Sequence, residues 1–202
     1  TDELIDVMAN EPKICKYIDV PLQHISDNIL LAMNRNITTQ GTKDLIAKFR
    51  KAMPMGSLRT TFIIGLPGET EENFQELMDF VRDVQFEKAG TFVYSKEEGT
   101  PAFEMKAHVP ETIKRQRMHD LMTLQKEISA KIQQDYVGRT LKVLIDEKQK
   151  DAEGVYLGRS EYDAPEVDGV VYVHAERKLK AGDFVDVVVD DALEYDLVGH
   201  TV

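Results

Sequence analysis

The sequence predicts an α/β segment followed by a small all-β unit. Up to about residue 136, β-rich runs alternate with stretches whose apolar residues recur every three or four positions, the pattern of strands linked by helices in a parallel sheet. Beyond Val137-Gly138 only short runs of alternating β-branched residues remain, with turn residues between them, the pattern of a small antiparallel barrel or sandwich. A boundary is therefore expected near Gly138, dividing residues 1–136 from residues 137–202.

Each element has a local reason. Leu4 to Met8 reads as a helix end, and Ile14 to Val20 as a strand halted by Pro21, which has no N–H for a sheet ladder. Cys15 falls inside that strand pattern and is expected to be a buried small hydrophobe. Ser26 is placed to cap a helix carrying Ile29, Leu30 and Met33, and a second helix has Leu45, Ile46 and Phe49 on one face before Pro54. Leu58 to Ile64 is a strand that runs into Gly65-Leu66-Pro67-Gly68. Thr70-Glu71-Glu72-Asn73 then opens a helix with carboxylates in its first turn and Phe74, Leu77, Met78, Val81 and Val84 on its apolar face. Thr91 to Tyr94 is a further strand. Pro110 opens a long helix with Met118, Leu121, Leu124, Ile128 and Ile132 inward and His119 on the polar side. In the second unit, strands are expected at Thr140–Ile145, Val155–Leu157, Val170–His174 and Phe184–Val189, with turns at Asp168-Gly169 and Gly182-Asp183.

Composition narrows the function classes. The chain of 202 residues carries 25 Lys and Arg against 36 Asp and Glu, a formal charge of −11. From Val137 onward there are 8 cations and 15 anions, so the smaller unit holds −7 of that charge. Such a field repels phosphates and argues against nucleic acid as a direct ligand, while it suits a basic protein partner. One cysteine excludes an internal disulfide framework and any metal site built from several thiolates, and the five histidines show no metal-ligand spacing. With no apolar run of membrane-spanning length, a cytoplasmic location is expected. The opening Thr1-Asp2-Glu3-Leu4 runs into amphipathic sequence without an initiator Met and reads as a piece of a longer protein.

Several motifs bear on chemistry. Pro21-Leu22-Gln23-His24 follows a strand, where barrels of alternating strands and helices place reactive groups; alternatively, Gln23 and His24 only satisfy nearby backbone. Gly65-Leu66-Pro67-Gly68-Glu69-Thr70 joins a strand to a helix start, suited to close ligand approach or simply an ordinary turn. Arg35 ends a short helix, either as a plain C-terminal cation or as the partner of a ligand carboxylate. Asp163-Ala164-Pro165-Glu166-Val167-Asp168-Gly169 is an acidic loop, a strand connector or a contact for lysine and arginine.

Taken in order, these stretches are specific. Tyr17-Ile18-Asp19-Val20-Pro21-Leu22-Gln23-His24, Met33-Asn34-Arg35, Thr60 through Thr70, Tyr94-Ser95 and Glu98-Gly99-Thr100 together resemble the second half of a radical S-adenosylmethionine (SAM) methylthiotransferase barrel. Val137-Gly138-Arg139 through Val202 resembles a TRAM domain, a small OB-like barrel. Within the family one branch modifies an adenosine of tRNA and another an aspartate on the twelfth protein of the small ribosomal subunit. The tRNA branch usually carries Gln-Ser-Gly-Ser where this chain has Gln23-His24-Ile25-Ser26, and the stretch Gly158 through Gly169 is similar to the TRAM of the ribosomal-protein branch, which implies a basic ribosomal protein as partner. The acidic charge independently favours that branch, and the alternatives are a tRNA-modifying relative or a binding module without chemistry. The resemblance also implies SAM and two [4Fe–4S] clusters in the whole enzyme. The family's cluster-binding cysteines have no counterpart here, so the chain alone is expected to be inactive. Gln23 and Arg35 match positions that contact the ribose or methionyl portion of SAM. Thr61 stands where some relatives carry an aspartate toward the ribose, and Ile63 to Gly65 match the strand edge along which adenine lies, with free backbone groups expected there. The resemblance assigns no catalytic residue and no metal ligand to this chain. Asp163, Glu166 and Asp168 are the expected docking carboxylates.

Overall fold

The computed structural model describes residues 1–202. The chain packs as two compact units, Thr1–Asp6 with Ile18–Lys126 and Val7–Tyr17 with Glu127–Val202. No helix is long and apolar enough to cross a membrane.

The first unit is built on a three-stranded sheet of β1 (Tyr17–Asp19), β2 (Ser57–Ile64) and β3 (Lys88–Val93), in that order. In chain order, helix α1 (Asp2–Asn10), whose residues from Val7 belong to the second unit, precedes β1; α2 (Asp27–Ala32) and α3 (Thr39–Ala52) link β1 to β2; α4 (Glu71–Val84) links β2 to β3; and α5 (Glu111–Gln134) follows, its residues to Lys126 belonging to the first unit. β2 and β3 are parallel, with Phe62 opposite Thr91 and Ile63 opposite Phe92, as strand–helix alternation requires. Along β2, Leu58, Thr60, Phe62 and Ile64 are buried while Arg59, Thr61 and Ile63 are half-buried. On the buried side Phe62 and Phe80 each meet Phe86 edge-on, with ring centroids 5.8 Å and 5.6 Å apart. Each such pair adds about 0.5–1.5 kcal/mol beyond area burial. The helices thus close one face of β2 and leave the Thr61–Ile63 face accessible.

Helix α4 begins as its sequence signal requires. The Thr70 side chain accepts from the Asn73 N–H at 3.3 Å and the Asn73 side chain accepts from the Thr70 N–H at 3.1 Å, a reciprocal cap with Asn in the usual Glu or Gln place. Ser26 stands at the start of α2, but its hydroxyl makes no cap bond; it donates instead to Glu76.

The expected strand from Ile14 shrinks to β1, and Cys15 is exposed rather than buried. The Lys16 ammonium explains the difference. It donates to the carbonyls of Met8 at 2.6 Å and Glu11 at 3.0 Å, orphan acceptors at the end of α1, and so folds residues 11–16 into a turn.

The second unit is a closed barrel of β4 (Thr140–Lys148), β5 (Val155–Ser160), β6 (Val171–His174), β8 (Leu197–Thr201) and β7 (Phe184–Ala192). The expected antiparallel barrel holds for the pairs β4–β5, β4–β7, β5–β6 and β7–β8, but β6 and β8 are parallel, so the barrel is mixed. Strand alternation sends Val143, Ile145, Val173, Val187 and Val189 into a common core. β8 escapes the pattern reading because Gly199 interrupts its apolar alternation. That glycine is required by closure, since a Cβ there would stand 2.3 Å from the Val188 carbonyl oxygen.

Candidate functional site

The strand-end segment Pro21–Gln23 is stitched onto β2. The Gln23 N–H donates to the Thr61 carbonyl at 2.9 Å, and the Ile63 N–H donates to the Gln23 carbonyl at 2.8 Å. This bridge holds Gln23 at φ 71°, a left-handed conformation that costs a non-glycine residue about 1 kcal/mol. Its amide Oε1 is buried and has no hydrogen-bond partner. A strained backbone and an orphaned side-chain oxygen in one residue mark a position held for something other than stability.

Arg35 follows α2 through Asn34, which turns the chain at φ 56°. Its guanidinium donates to the Pro21 carbonyl, two residues from Gln23, rather than to the last carbonyls of its own helix. The structure therefore brings Gln23, Thr61 and Ile63 together directly and ties Arg35 to the same strand end.

The free backbone groups expected at Ile63–Gly65 are fewer than the sequence suggests: β2 is the middle strand, and the Ile63 N–H, the Ile64 carbonyl and the Gly65 N–H are all bonded. Besides the Ile63 bond, the Tyr94 N–H donates to the Ile64 carbonyl at 2.8 Å and the Gly65 N–H donates to Glu69 Oε2 at 2.7 Å. β2 offers a face: half-buried Thr61 and Ile63, with the 66% exposed ring of Phe92 beside Ile63 in register.

The same strand end carries a buried polar network, in which the sequence motifs point to His24 but not to Arg117. His24 is fully buried, and its Nδ1 accepts from the Ser26 N–H at 3.0 Å, which leaves the proton on Nε2, 3.8 Å from Glu69 Oε2. Glu69 Oε1 receives Arg117 Nη1 at 2.7 Å, and Arg117 Nη2 reaches Glu71 Oε2 at 3.0 Å. Burial, helped by the Arg117 charge, lowers the His24 pKa from 6.5 to about 4, so the imidazole is neutral. Burial pushes the Glu69 carboxyl up, against the opposing hydrogen bonds from Gly65 and Arg117. A sequence signal for Arg117 does exist. It lies four residues before Leu121, which lies four before Gln125, so two polar side chains sit on the buried stripe of α5.

In the second unit the three loop carboxylates have different roles. Asp163 Oδ2 accepts from the Ser160 N–H at 3.2 Å and its hydroxyl at 2.5 Å, and Asp168 Oδ2 accepts from the Ala164 N–H at 2.8 Å. Both are half-buried and shape the loop, while Glu166, at φ 64°, is exposed. Of the barrel's cations, Lys142 pairs with Asp186 at 3.1 Å and Arg159 with Asp146.

Comparison with known proteins gives a consistent picture. Residues 1–81 match the family model of the radical SAM superfamily and residues 137–202 that of the TRAM domain. The chain is 51% identical over 200 residues to the ribosomal protein uS12 methylthiotransferase RimO of Desulforamulus reducens, covering 99% of this chain and 45% of that protein. It is 49% identical over 200 residues to the protein of the same name from Thermoanaerobacter sp. X514, again 99% and 45%. For Desulfitobacterium hafniense the identity is 50% over 202 residues, 100% of this chain and 45% of that protein. The chain thus spans about half the length of the curated relatives it matches.

Proposed function

Because the chain belongs to the radical SAM methylthiotransferases of the RimO type, we propose that it forms the SAM-facing second part of the barrel (residues 1–136) and the substrate-recruiting TRAM domain (residues 137–202) of an enzyme that adds a methylthio group to an aspartate of ribosomal protein uS12. The observation that carries this reading is an identity near 50% sustained over 99% to 100% of the chain.

The residues present fit SAM. The buried, unpartnered Oε1 of Gln23 is an acceptor waiting for a donor such as a hydroxyl or an ammonium group. Arg35 keeps guanidinium N–H groups beyond the one given to Pro21, suited to a carboxylate. Thr61 presents a hydroxyl and Ile63 an apolar surface from the accessible face of β2, and the Gly65 turn closes its end. When bound, SAM supplies the chemistry that removes hydrogen from an unactivated carbon, after which sulfur is inserted. The side chains named here bind and orient it, and the packed Phe62 side of β2 keeps water out from behind. For the two [4Fe–4S] clusters of the whole enzyme, the residues here do not fit: a cluster takes several thiolates, and the chain has the exposed Cys15 alone. By itself the chain is expected to be catalytically silent.

The TRAM segment carries −7, and Lys142 and Arg159 are paired with carboxylates. This supports a basic protein, uS12 in the cytoplasm, as the partner rather than RNA. Binding of the chain to purified uS12 and to tRNA at about 0.15 M salt tests the reading. Preference for uS12 is expected. Equal affinity for tRNA, with log K falling steeply against log salt, overturns it.

A further inference from the structure

Helix α5 lies outside the residues matched by the radical SAM model, yet it grips the end of β2 at two points one turn apart. The stem of Lys114 lies against Gly65 so closely that a Cβ there would stand 2.2 Å from Lys114 Cγ, and its ammonium donates to the Tyr94 carbonyl at 2.9 Å. One turn on, Arg117 is 6% exposed and donates to both the carboxylate and the carbonyl of Glu69, at 2.7 Å and 3.3 Å. Glu69 in turn receives the Gly65 N–H at 2.7 Å. Arg117 also lies over the Phe74 ring, 5.3 Å from its centroid, which fixes the guanidinium plane.

A buried arginine costs desolvation that only well-formed bonds offset, and simpler apolar contacts could fasten a helix here. What an apolar contact cannot do is orient a carboxylate. With Oε1 held by Arg117, Oε2 points at Gly65, whose φ of 80° leaves its N–H without a strand partner. The chain Arg117–Glu69–Gly65 therefore sets the peptide plane at the end of the Thr61–Ile63 face.

We propose that Arg117 is a positioning residue for nucleoside binding: acting through Glu69, it fixes the Gly65 turn that ends the binding face of β2. This rests on the SAM reading given above. Lys114 assists by filling the space beside Gly65.

The experiment is amide hydrogen exchange with NMR titration of SAM, on the full chain and two variants, Arg117→Met and the double variant Glu69→Gln/Arg117→Met. The double variant leaves no buried unpaired carboxylate, so it keeps the test open should the single variant fail to fold. The Gly65 amide is expected to exchange at least about tenfold faster in the variants, while Phe62 and Val187 exchange as in the parent chain; that factor matches a loss of about 1.4 kcal/mol. SAM affinity is expected to fall by a similar factor. Unchanged Gly65 exchange overturns the proposal, as does lost protection with unaltered SAM affinity. Absence of SAM binding to the parent chain sinks the SAM reading and the proposal built on it, an outcome distinct from either of those two.

Discussion

His24 Nε2 and Glu69 Oε2 stand 3.8 Å apart with both side chains out of solvent. The imidazole is held neutral, its pKa lowered from 6.5 to about 4 by burial and then by the charge of Arg117. Between those two values the unfolded chain binds a proton that the folded chain refuses. The stability at stake is whole above the unfolded pKa and is lost as pH falls toward the folded one. Between about pH 7 and pH 5 the loss from His24 amounts to about 2 kcal/mol. Glu69, with its pKa raised, acts in the opposite sense and blunts the effect. Urea denaturation at the two pH values checks this. His24→Gln, whose amide can still accept from Ser26, should lose about 2 kcal/mol of that pH dependence; a variant as acid-sensitive as the parent rejects it.

Gly65→Ala should be destabilising for two separate reasons. An alanine at φ 80° is strained, and its Cβ would meet Lys114 Cγ at 2.2 Å. Together these are expected to cost about 2–4 kcal/mol. Adding Lys114→Ala removes the two closest contacts, leaving only Lys114 Cβ at 3.2 Å, but not the strain, so the double variant should recover part of the loss. No recovery in thermal or urea midpoint would show that Lys114 does not pack on the turn.

The contrast between Phe62 and Glu69 explains what could be read in advance. Phe62 belongs to a β-rich run of sequence whose burial alternates from Leu58 to Ile64, a periodic signal that needs no tertiary context to read. The Thr70 cap is legible for the same reason, because its partner Asn73 is three residues away. Glu69 meets Arg117 across 48 residues, and no local rule links them. Cys15 is exposed although its neighbours look like a strand, because the deciding bonds come from the side chain of Lys16 to the end of α1. The proposed site divides the same way: motif resemblance points to Gln23, Thr61 and Ile63, whereas the bonds made by the Ile63 N–H and the Ile64 carbonyl depend on strand order, which no local pattern specifies.

The acidic loop should separate structure from attraction. Asp163→Ala removes the acceptor for the Ser160 N–H and hydroxyl, and Asp168→Ala the acceptor for the Ala164 N–H. Each is expected to cost about 1 kcal/mol and to loosen the loop. Glu166→Gln changes charge alone. It should slow association with uS12 at low salt, with less effect at high salt, and leave the melting temperature unchanged. Stopped-flow association at two ionic strengths decides: an unchanged rate for Glu166→Gln removes that carboxylate from the docking surface.

Gln23 gives the sharpest separation of binding from stability. Its left-handed backbone costs about 1 kcal/mol that glycine would not incur, while glycine gives back a similar amount in unfolded-state entropy. Gln23→Gly should therefore fold with stability within about 1 kcal/mol of the parent, since the bonds to Thr61 and Ile63 use backbone only. It loses the buried Oε1, and SAM affinity should drop by about tenfold, the loss of one good hydrogen bond. Arg35→Ala should weaken SAM as well, but at some cost to the anchoring of Pro21. Isothermal titration beside a urea melt reads both quantities on the same sample. A glycine variant that binds SAM as the parent does would mean that Gln23 bends the chain and nothing more.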